Sequence, residues 1–402
     1  MPVGQDSDDQ CLLRAVSIAG SDRLGVAVSG GGDSMALLHL MHRAGGVIEA
    51  VTVNHGLRTE AAAEAAGVAQ YCQNLNIPHT ILHWSGPAAT GNLMDQARRA
   101  RLSLMADWAR GRGIGHIVLG HTADDQAETL LMGLARKAGL EGLSGMRTVW
   151  DQHGMAWSRP LLAHGRQELR DYLRRHGVAW VDDPTNEDSS FTRVKARNVL
   201  KMLAPLGITA GTLAAVVGNL DAARQAMAWS LSREAGRIVT EREGALWIAL
   251  PGLQMLPPDL QRSLMIAALR WISTADYPPR EAAMQRLQQA IGAGRDATLW
   301  GCRLRILNDS VLITREPRAV SDGTPWDSRW QIVGPPGDIR ALGPTGLRQI
   351  KDWRATGLPR AVLEVTPAIW AGDTLIAAPS AGFGAAATAT VQPTFGSFLL
   401  SH

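Results

Sequence analysis

The segment RLGVAVSGGGDSMALLHLMHRAG, which begins at Arg23, places three consecutive glycines between an apolar run and an amphipathic run. Residues 24–28 have the composition of a buried strand, whereas Leu37 and Met41 belong to apolar positions that recur at helical spacing. The six residues between them, 29–34, are therefore predicted to form a strand-to-helix turn. Glycines in such a turn let backbone N–H groups approach a ligand, and the start of the helix adds unpaired donors and a partial positive charge. The turn is predicted to bind an anion, with phosphate as the first candidate.

The same alternation of strand and helix continues as far as about residue 122. Strand-like runs lie at 25–28, 47–53, 80–84 and 116–119, and helical stretches lie at 60–75 and 92–110. This pattern predicts an α/β fold, a Rossmann-like parallel sheet with helices on both faces. Because ligands bind beyond the carboxyl ends of such strands, the loops at 29–34, 54–58 and 120–125 are expected to meet at one cleft.

The composition changes near Pro205, where we predict a domain boundary. Ala-rich helical stretches follow at 209–239, 259–274 and 280–293. From residue 297 onward, two strand-like runs flank an Asn-Asp turn, and Pro and Gly recur to the end of the chain. We therefore predict three parts: an α/β domain at 1–205, a helical domain at 206–295 and a small β-rich domain at 296–402.

The overall composition argues against several classes of protein. The 402 residues contain 40 Lys and Arg against 37 Asp and Glu, so there is no general basic field for a nucleic acid. Cys11, Cys72 and Cys302 are widely spaced, which predicts neither disulfides nor a thiolate metal site and fits a reducing compartment. No apolar run approaches the ~18 residues of a membrane span. We predict a cytoplasmic protein that does not associate with membranes.

Two carboxylates share one face of the helix predicted after residue 122. The apolar positions of that helix form one stripe, which consists of Ala123, Ala127, Leu130, Leu131 and Leu134. Asp125 and Glu128 lie roughly 60° apart on the opposite face, so both are expected to point away from the core. Asp125 could instead cap the helix together with Thr122, but capping does not explain Glu128. Because a carboxylate pair stabilises the charge of an ammonium group, a basic substrate is predicted.

The glycine loop does not match the two commonest phosphate-binding motifs. G-x-x-x-x-G-K-[ST] fails because no lysine follows, and G-x-G-x-x-G fails because Asp33 and Ser34 occupy its later positions. The string SGGGDS resembles instead the S-G-G-x-D-S signature of the PP-loop ATP pyrophosphatases, which split ATP into AMP and pyrophosphate. That resemblance implies that the loop amides and the Ser29 and Ser34 hydroxyls hold the pyrophosphate end of ATP. It also implies that Asp33 lies near magnesium or the phosphates.

A longer set of motifs resembles one family of PP-loop enzymes. Over about residues 23–205 the chain is similar to the tRNA(Ile)-lysidine synthases, through the glycine loop and the segments ARRARLSLMADWAR, GHTADDQAETLLMGLARKAGLEGLSGM, SRPLL and RQELRDYLRRHGVAWVDDPTNEDSSFTR. Members of that family use ATP to adenylate the oxygen on carbon 2 of the wobble cytidine in an isoleucine tRNA with a CAU anticodon. The ε-amine of free lysine then attacks that carbon, AMP leaves, and lysidine forms.

This resemblance implies a set of site residues and partners. The catalytic residues would be Asp33, Arg101 and His121; the ATP-binding residues Ser29, Gly30, Gly31, Gly32, Asp33, Ser34, Val53 and His55; the lysine-binding residues Asp125 and Glu128; and the tRNA-binding residues Arg159, Arg193 and Arg197. ATP and Mg²⁺ would be the cofactors, with no metal ligands assigned. The partners would be free L-lysine and tRNA(Ile) with a CAU anticodon. The helical domain could contact the tRNA or mediate a homodimer.

Several of these assignments have a plain structural alternative. His55, as a loop histidine, could be solvated or capping, and Arg101 could be one of several arginines on a solvated helix face. Arg166 and the arginines that follow it could likewise form a solvated face, although the resemblance implies phosphate contacts to tRNA. The base that deprotonates lysine stays open between His121 and a carboxylate.

Three other functions compete with this interpretation, and one of them, a GMP or NAD synthetase, would adenylate a small molecule and admit ammonia. A PP-loop tRNA thiolase, or another base-modifying enzyme, would adenylate a base in the same way. A thiolase needs reactive cysteines or an iron–sulfur cluster, which three scattered cysteines do not favour. A non-catalytic adenine-nucleotide sensor would leave the Asp125/Glu128 pair and the basic 182–197 segment without a role.

Overall fold

A six-stranded sheet lies at the centre of the N-terminal half of the chain in the computed structural model. Its strands are β1 (Leu24–Ala27), β2 (Ile48–Asn54), β3 (His79–His83), β4 (His116–Leu119), β5 (Val149–Gln152) and β6 (Met155–Ser158). They are ordered β3-β2-β1-β4-β6-β5, and every neighbouring pair is parallel except the β5–β6 hairpin. This arrangement confirms the predicted Rossmann-like α/β fold.

The structure describes residues 3–17, 23–54, 61–84, 93–182, 192–275, 279–321, 325–384 and 386–401. Contacts between Cα atoms divide the chain into two units, Met1–Arg224 and Gln225–His402. The predicted boundary near Pro205 falls inside the first unit, and the division of the chain into three parts stays a prediction.

Helices cover both faces of the sheet. Those of the first unit are α1 (Val3–Val16), α2 (Gly32–Arg43), α3 (Ala61–Asn74), α4 (Leu93–Gly111), α5 (Ala123–Ala135), α6 (Leu140–Leu143), α7 (Arg166–Arg175) and α8 (Thr192–Leu203), and α9 (Ala210–Ile238) begins in it. On one face Leu37 and Leu169 join a core with β1, and on the other Met105 and Ala106 pack with Ile117 of β4. Burying each larger apolar side chain stabilises the fold by about 1.5–3 kcal/mol relative to exposure, which is why the alternating pattern produces two helical layers.

The sequence pattern does not predict the β5–β6 hairpin. His153 and Gly154 connect its strands with φ values of 55° and 67°, as a two-residue type I′ turn requires. The His-Gly pair between two Trp-containing runs is the local signal that could have found this hairpin. Because β6 is the parallel neighbour of β4, Arg159 at the end of β6 lies beside the end of β4. The hairpin therefore adds one side chain to the predicted cleft.

The second unit contains antiparallel sheets. Its strands are β7 (Val239–Arg242), β8 (Ala245–Ala249), β9 (Ala297–Leu299), β10 (Cys302–Leu307), β11 (Ser310–Arg315), β12 (Trp330–Val333), β13 (Asp338–Ala341), β14 (Pro367–Ala371), β15 (Thr374–Ala378), β16 (Phe383–Gly384) and β17 (Thr388–Val391). Its further helices are α10 (Leu250–Met255), α11 (Pro258–Ser273), α12 (Glu281–Gly292), α13 (Gly343–Gln349), α14 (Arg360–Leu363) and α15 (Phe395–Ser401). The sheets are ordered β7-β8-β11-β10-β9, β12-β17 and β13-β14-β15-β16.

Strands also occur in the segment that the sequence predicts to be helical. The β10–β11 hairpin turns at Asn308 and Asp309, which confirms the predicted strand pair, and α11 and α12 confirm two predicted helices. However, β7 and β8 lie within residues 206–295 and join the same sheet as β10 and β11. The reason is apolar burial, because Leu246 and Ile248 of β8 are fully buried in the core of this unit.

No single described helix is long and apolar enough to cross a membrane. Thr192–Leu206 and Ala210–Ile238 reach that level only as a pair, and the two segments are bent by 100° relative to each other.

Candidate active site

The glycine loop joins β1 to α2 and is held by its own serines. Ser34 Oγ donates a hydrogen bond to the Gly31 carbonyl at 2.9 Å, and the Ser29 N–H donates to Ser34 Oγ at 3.1 Å. Gly30 has a φ of 89°, which a residue with a side chain would adopt only under strain. Among the described residues no side chain caps α2, whose N-cap is Gly31, so the amides of its first turn are available to an anion. The geometry agrees with the predicted phosphate site.

The loop lies where the strand order of the sheet reverses, between β1 and β4. Ligands of open α/β sheets bind at this reversal, beyond the carboxyl ends of the strands. Gly120, directly after β4, lies close against the loop: a Cβ atom there would lie 2.9 Å from the Asp33 carbonyl oxygen and 3.1 Å from Ser34 Cα. Of the three loops predicted to meet at one cleft, the meeting is therefore confirmed for 29–34 and 120–125, whereas residues 55–58 of the third lie outside the described residues.

Helix α5 carries the two predicted carboxylates, but both are buried. Asp125 caps the helix, because its Oδ2 accepts the Thr122 N–H at 2.9 Å, and it is 8% exposed. Glu128 is 0% exposed, and its Oε1 accepts a hydrogen bond from Arg197 Nε at 2.7 Å. The expectation that both point away from the core is corrected: α8 packs against α5, and arginines cover the carboxylates. The expected stripe also ends early, since Leu134 is exposed.

The two carboxylate oxygens of Glu128 differ in their hydrogen bonding. Oε2 of this buried carboxylate accepts no hydrogen bond within the part of the chain that the structure describes. Asp33 shows the same asymmetry, since its Oδ1 is buried and unpaired there as well. A buried ionised oxygen is stable only with a cationic or hydrogen-bonding partner, so both atoms are acceptors for a cation, a water molecule or a donor group of a ligand.

Arg166, the first residue of α7, connects these carboxylates. Its Nε donates to Asp33 Oδ2 at 3.0 Å, and its Nη2 and Nη1 lie 3.5 Å from Asp125 Oδ1 and 3.6 Å from Glu128 Oε1. Its backbone N–H donates to Asp124 Oδ2 at 2.7 Å. Burial raises the pKa of Asp33, and the charge of Arg166 opposes that rise. Sequence reasoning treats Arg166 as part of a basic helix face and misses this role.

His121, directly after Gly120, is oriented by Arg159 from the neighbouring strand. Arg159 Nε donates to His121 Nδ1 at 3.1 Å, which leaves the imidazole proton on Nε2. The guanidinium lies 3.7 Å from the centroid of the Trp150 ring and donates to the Arg147 carbonyl at 2.7 Å. Burial, followed by the charge of Arg159, lowers the pKa of His121 to about 3. At neutral pH His121 is therefore an uncharged hydrogen-bond donor.

Comparison with known proteins agrees with this geometry. A family profile described as a PP-loop domain matches residues 6–203. A tRNA(Ile)-lysidine synthase from Ruegeria pomeroyi is 44% identical to this chain over 396 residues, which cover 94% of each protein. The chain belongs to the tRNA(Ile)-lysidine synthase family. A further member, from a Bradyrhizobium species, is 36% identical over 351 residues, which cover 79% of this chain and 98% of the relative.

The other site residues expected from the family occupy different surroundings. Arg101 is half-buried on α4, and Val53 is half-buried near the end of β2, where it packs on an apolar cluster. His55 lies outside the described residues. Arg193 is exposed on α8, whereas Arg197 on the same helix is bound to Glu128. The ligand contacts assigned to these residues stay predictions.

Arg159 and the arginines of α7 differ from the surface expected for tRNA binding. Arg159 is only 6% exposed, which argues against a direct phosphate contact and favours a positioning role toward His121. The α7 arginines are each paired with an acid, in the pairs Arg170–Asp182 at 2.6 Å, Arg174–Asp171 at 2.6 Å and Arg175–Asp9 at 2.8 Å. These pairs reduce the positive potential that a phosphate backbone would meet.

We expect His121→Gln to flatten the dependence of stability on pH. The pKa of His121 is about 3 in the folded protein, against about 6.5 for an unfolded histidine. The unfolded chain therefore binds one more proton at this residue between these values, so the free energy of unfolding falls as pH decreases from about 6.5 toward 3. His121→Gln should remove up to about 1.4 kcal/mol of that loss per pH unit. Urea denaturation from pH 7 to about 4 would measure the slope, and an unchanged slope would contradict the assigned neutral histidine.

Proposed function

We propose that this chain uses ATP to ligate free L-lysine to carbon 2 of the wobble cytidine in tRNA(Ile) with a CAU anticodon, which forms lysidine. The name of its relatives, tRNA(Ile)-lysidine synthase, supports tRNA(Ile) as the substrate and lysidine as the product. The PP-loop domain supports the use of ATP. One observation carries the lysine part of the proposal. Glu128, in a buried carboxylate pair near the phosphate loop, has one unpaired oxygen among the described residues.

ATP would bind with its pyrophosphate end in the glycine loop. The amides at the start of α2 and the Ser29 hydroxyl would donate to phosphate oxygens, and the Ser34 hydroxyl would do so once it releases the Gly31 carbonyl. Mg²⁺ fits here because Asp33 Oδ1 is buried without a partner in the described chain, and Mg²⁺ is commonly held by one or two carboxylates plus substrate phosphates. The bound ion would neutralise charge that develops on the phosphates. No group of three or more His, Cys, Asp and Glu side chains suited to a metal occurs within the described ranges.

In the first step the oxygen on carbon 2 of cytosine attacks the α-phosphorus of ATP. The bond between that phosphorus and the bridging oxygen of pyrophosphate breaks, and pyrophosphate leaves. Arg101 would stabilise charge on the α-phosphate, and His121 would donate from Nε2 to the nucleotide or the base. Both roles depend on placement near ATP, which the family resemblance supports. Arg159 would keep His121 in the donor form by occupying Nδ1.

In the second step an uncharged ε-amine of lysine attacks carbon 2, and AMP leaves with the oxygen. Asp125 and Glu128 would bind an ammonium group of lysine and hold the molecule in place. The open choice of base narrows, because His121 accepts a hydrogen bond from Arg159 at Nδ1 and carries its own proton on Nε2, so neither ring nitrogen is available to take a proton. A carboxylate of the site is therefore the stronger candidate to receive the proton from the ε-amine.

The tRNA would approach the face that carries α8. Arg193 is exposed there and can reach a phosphate, whereas Arg197 would first have to leave Glu128. We also propose that residues 206–402 contact parts of the tRNA away from the anticodon. A cytoplasmic location and a homodimer complete the proposal and stay predictions.

The competing thiolase reaction has little support from the cysteines. Cys72 and Cys302 are buried, and burial raises their thiol pKa values to about 11 and about 12, so neither is a ready nucleophile. Cys11 is exposed, and the structure records all three cysteines as free.

The purified protein is expected to incorporate labelled lysine into unmodified tRNA(Ile) with a CAU anticodon in the presence of ATP and Mg²⁺. One AMP and one pyrophosphate should appear per lysine, because the reaction passes through an adenylated base. An elongator methionine tRNA, which also has a CAU anticodon, is the control and should stay unlabelled. Pyrophosphate release without lysine incorporation would keep the PP-loop chemistry and contradict lysine as the nucleophile.

A further inference from the structure

The Arg166 side chain reaches both the phosphate loop and the acidic pair of α5. We propose that it is a positioning residue that ties one oxygen of Asp33 and so leaves the other for the bound nucleotide, while it fixes the spacing between Asp33 and the Asp125/Glu128 pair. This inference rests on the proposed function, because it takes ATP to lie at Asp33 and lysine at the pair. It assigns Arg166 no contact with a substrate.

The contacts of Arg166 divide its role into two parts. The short hydrogen bond from Nε to Asp33 Oδ2, at 3.0 Å, fixes the orientation of that carboxylate. The two remaining guanidinium nitrogens lie 3.5 and 3.6 Å from Asp125 and Glu128, which is longer than a normal hydrogen bond and leaves an ionic attraction. The strong contact is therefore to the loop, and the weaker ones are to the pair.

Each carboxylate has a protein donor on one oxygen. The donors are Arg166 Nε to Asp33 Oδ2, the Thr122 N–H to Asp125 Oδ2 and Arg197 Nε to Glu128 Oε1. The second oxygens of Asp33 and Glu128 are unpaired among the residues that the structure describes. A carboxylate that is hydrogen-bonded at one oxygen cannot rotate freely, so its second oxygen is already oriented before the substrate binds. Pre-ordered acceptors of this kind lower the entropy lost when a ligand binds.

The backbone of Arg166 fixes its own position. Its N–H donates to Asp124 Oδ2 at 2.7 Å, and the Ala123 N–H donates to the His164 carbonyl at 2.8 Å, so the starts of α5 and α7 are joined. The guanidinium is also shielded, since the side chain is only 20% exposed. A planar fork held in this way can face three carboxylates, whereas a lysine at the same place would present a single point charge.

Binding of Mg²⁺·α,β-methylene-ATP, which resists cleavage at the α-phosphate, tests this role without a complete reaction. Arg166→Gln is expected to raise the Kd of this analogue about tenfold or more, measured by calorimetry, because Asp33 loses its orientation and its counter-charge. Arg166→Lys should recover part of the affinity, because it keeps the charge but not the fork. Arg110→Gln is the control: Arg110 is an exposed arginine paired with Asp107 on α4 and should leave the Kd unchanged.

A double-mutant cycle distinguishes a role through Asp33 from general damage to the fold. If Arg166 acts through Asp33, Arg166→Gln should raise the Kd far less in an Asp33→Asn background than in the parent protein. Additive effects in the cycle, a parent-like Kd for Arg166→Gln, or full recovery with Arg166→Lys would overturn the positioning role. A parent protein that does not bind the analogue would overturn the proposed function and this inference with it. Arg166→Lys keeps the test available if Arg166→Gln does not fold.

Discussion

Glu128→Gln is expected to raise the KM for lysine about 100-fold or more, because it removes the negative charge that would face the ammonium group. Glutamine keeps the shape of the side chain, and its carbonyl oxygen can still accept the hydrogen bond from Arg197 Nε. The affinity for Mg²⁺·α,β-methylene-ATP should change by less than about twofold, since the loop keeps all its donors. Labelled-lysine incorporation over a range of lysine concentrations measures the first quantity, and calorimetry measures the second.

The control for this variant is Glu141→Gln. Glu141 is a nearby glutamate on α6 whose side chain is 67% exposed and paired with Arg147. Exposed pairs of this kind contribute little, so the KM for lysine should stay at the parent value. An equal loss of ATP-analogue affinity in Glu128→Gln would show that the acidic pair belongs to the nucleotide site and not to a lysine site.

Gly120→Ala is expected to lower the rate of pyrophosphate release about 100-fold, because it moves the phosphate loop by a few tenths of an ångström or more. The new Cβ would lie 2.9 Å from the Asp33 carbonyl oxygen and 3.1 Å from its carbonyl carbon, and backbone atoms cannot rotate away as a side chain can. Overpacking of this kind also costs about 1–3 kcal/mol of stability. The rate should therefore be measured at a temperature where circular dichroism shows the variant to be folded.

Gly115→Ala provides a matched control at the other end of β4. A Cβ atom at Gly115 would meet nothing within 4 Å, so the loop should stay in place and the rate should match the parent protein. Stability should change by no more than about 0.5–1 kcal/mol. A parent-like rate for Gly120→Ala would mean that the loop tolerates displacement, which would contradict a phosphate site built from fixed amides.

The fold of the first unit follows closely from local pattern. The predicted strands near residues 25–28 and 116–119 and the helices at 60–75 and 92–110 are present with small shifts at their ends. Such elements depend on the spacing of apolar side chains over a few turns, which the sequence displays directly. The β5–β6 hairpin was missed because its strands are short and only β6 joins a strand from the predicted sheet.

The sequence predicts that the acidic residues of the candidate site lie near one another, but it does not predict which arginines and helices cover them. Asp33, Asp125 and Glu128 are near one another, as the shared edge of the sheet requires, and the Thr122–Asp125 cap forms as its spacing predicts. Asp125 and Glu128 are buried, although they were expected to point away from the core. Amphipathicity indicates which face of α5 is apolar but not which helices cover its polar face. Helix α8 supplies that cover.

The sequence by itself determined the glycine turn, the capped acidic helix and the alternation that builds the sheet, since each depends on residues a few positions apart. Only the tertiary structure decided which polar partner each arginine binds. Arg166 and Asp33 are 133 residues apart, Arg197 and Glu128 are 69 apart, and Arg159 and His121 are 38 apart. Hydrogen bonds and charge attraction act over a few ångströms in space and leave no periodic trace along the chain. The same arginine therefore looks like a solvated surface residue in the sequence and acts as a buried ion-pair partner once the helices are packed.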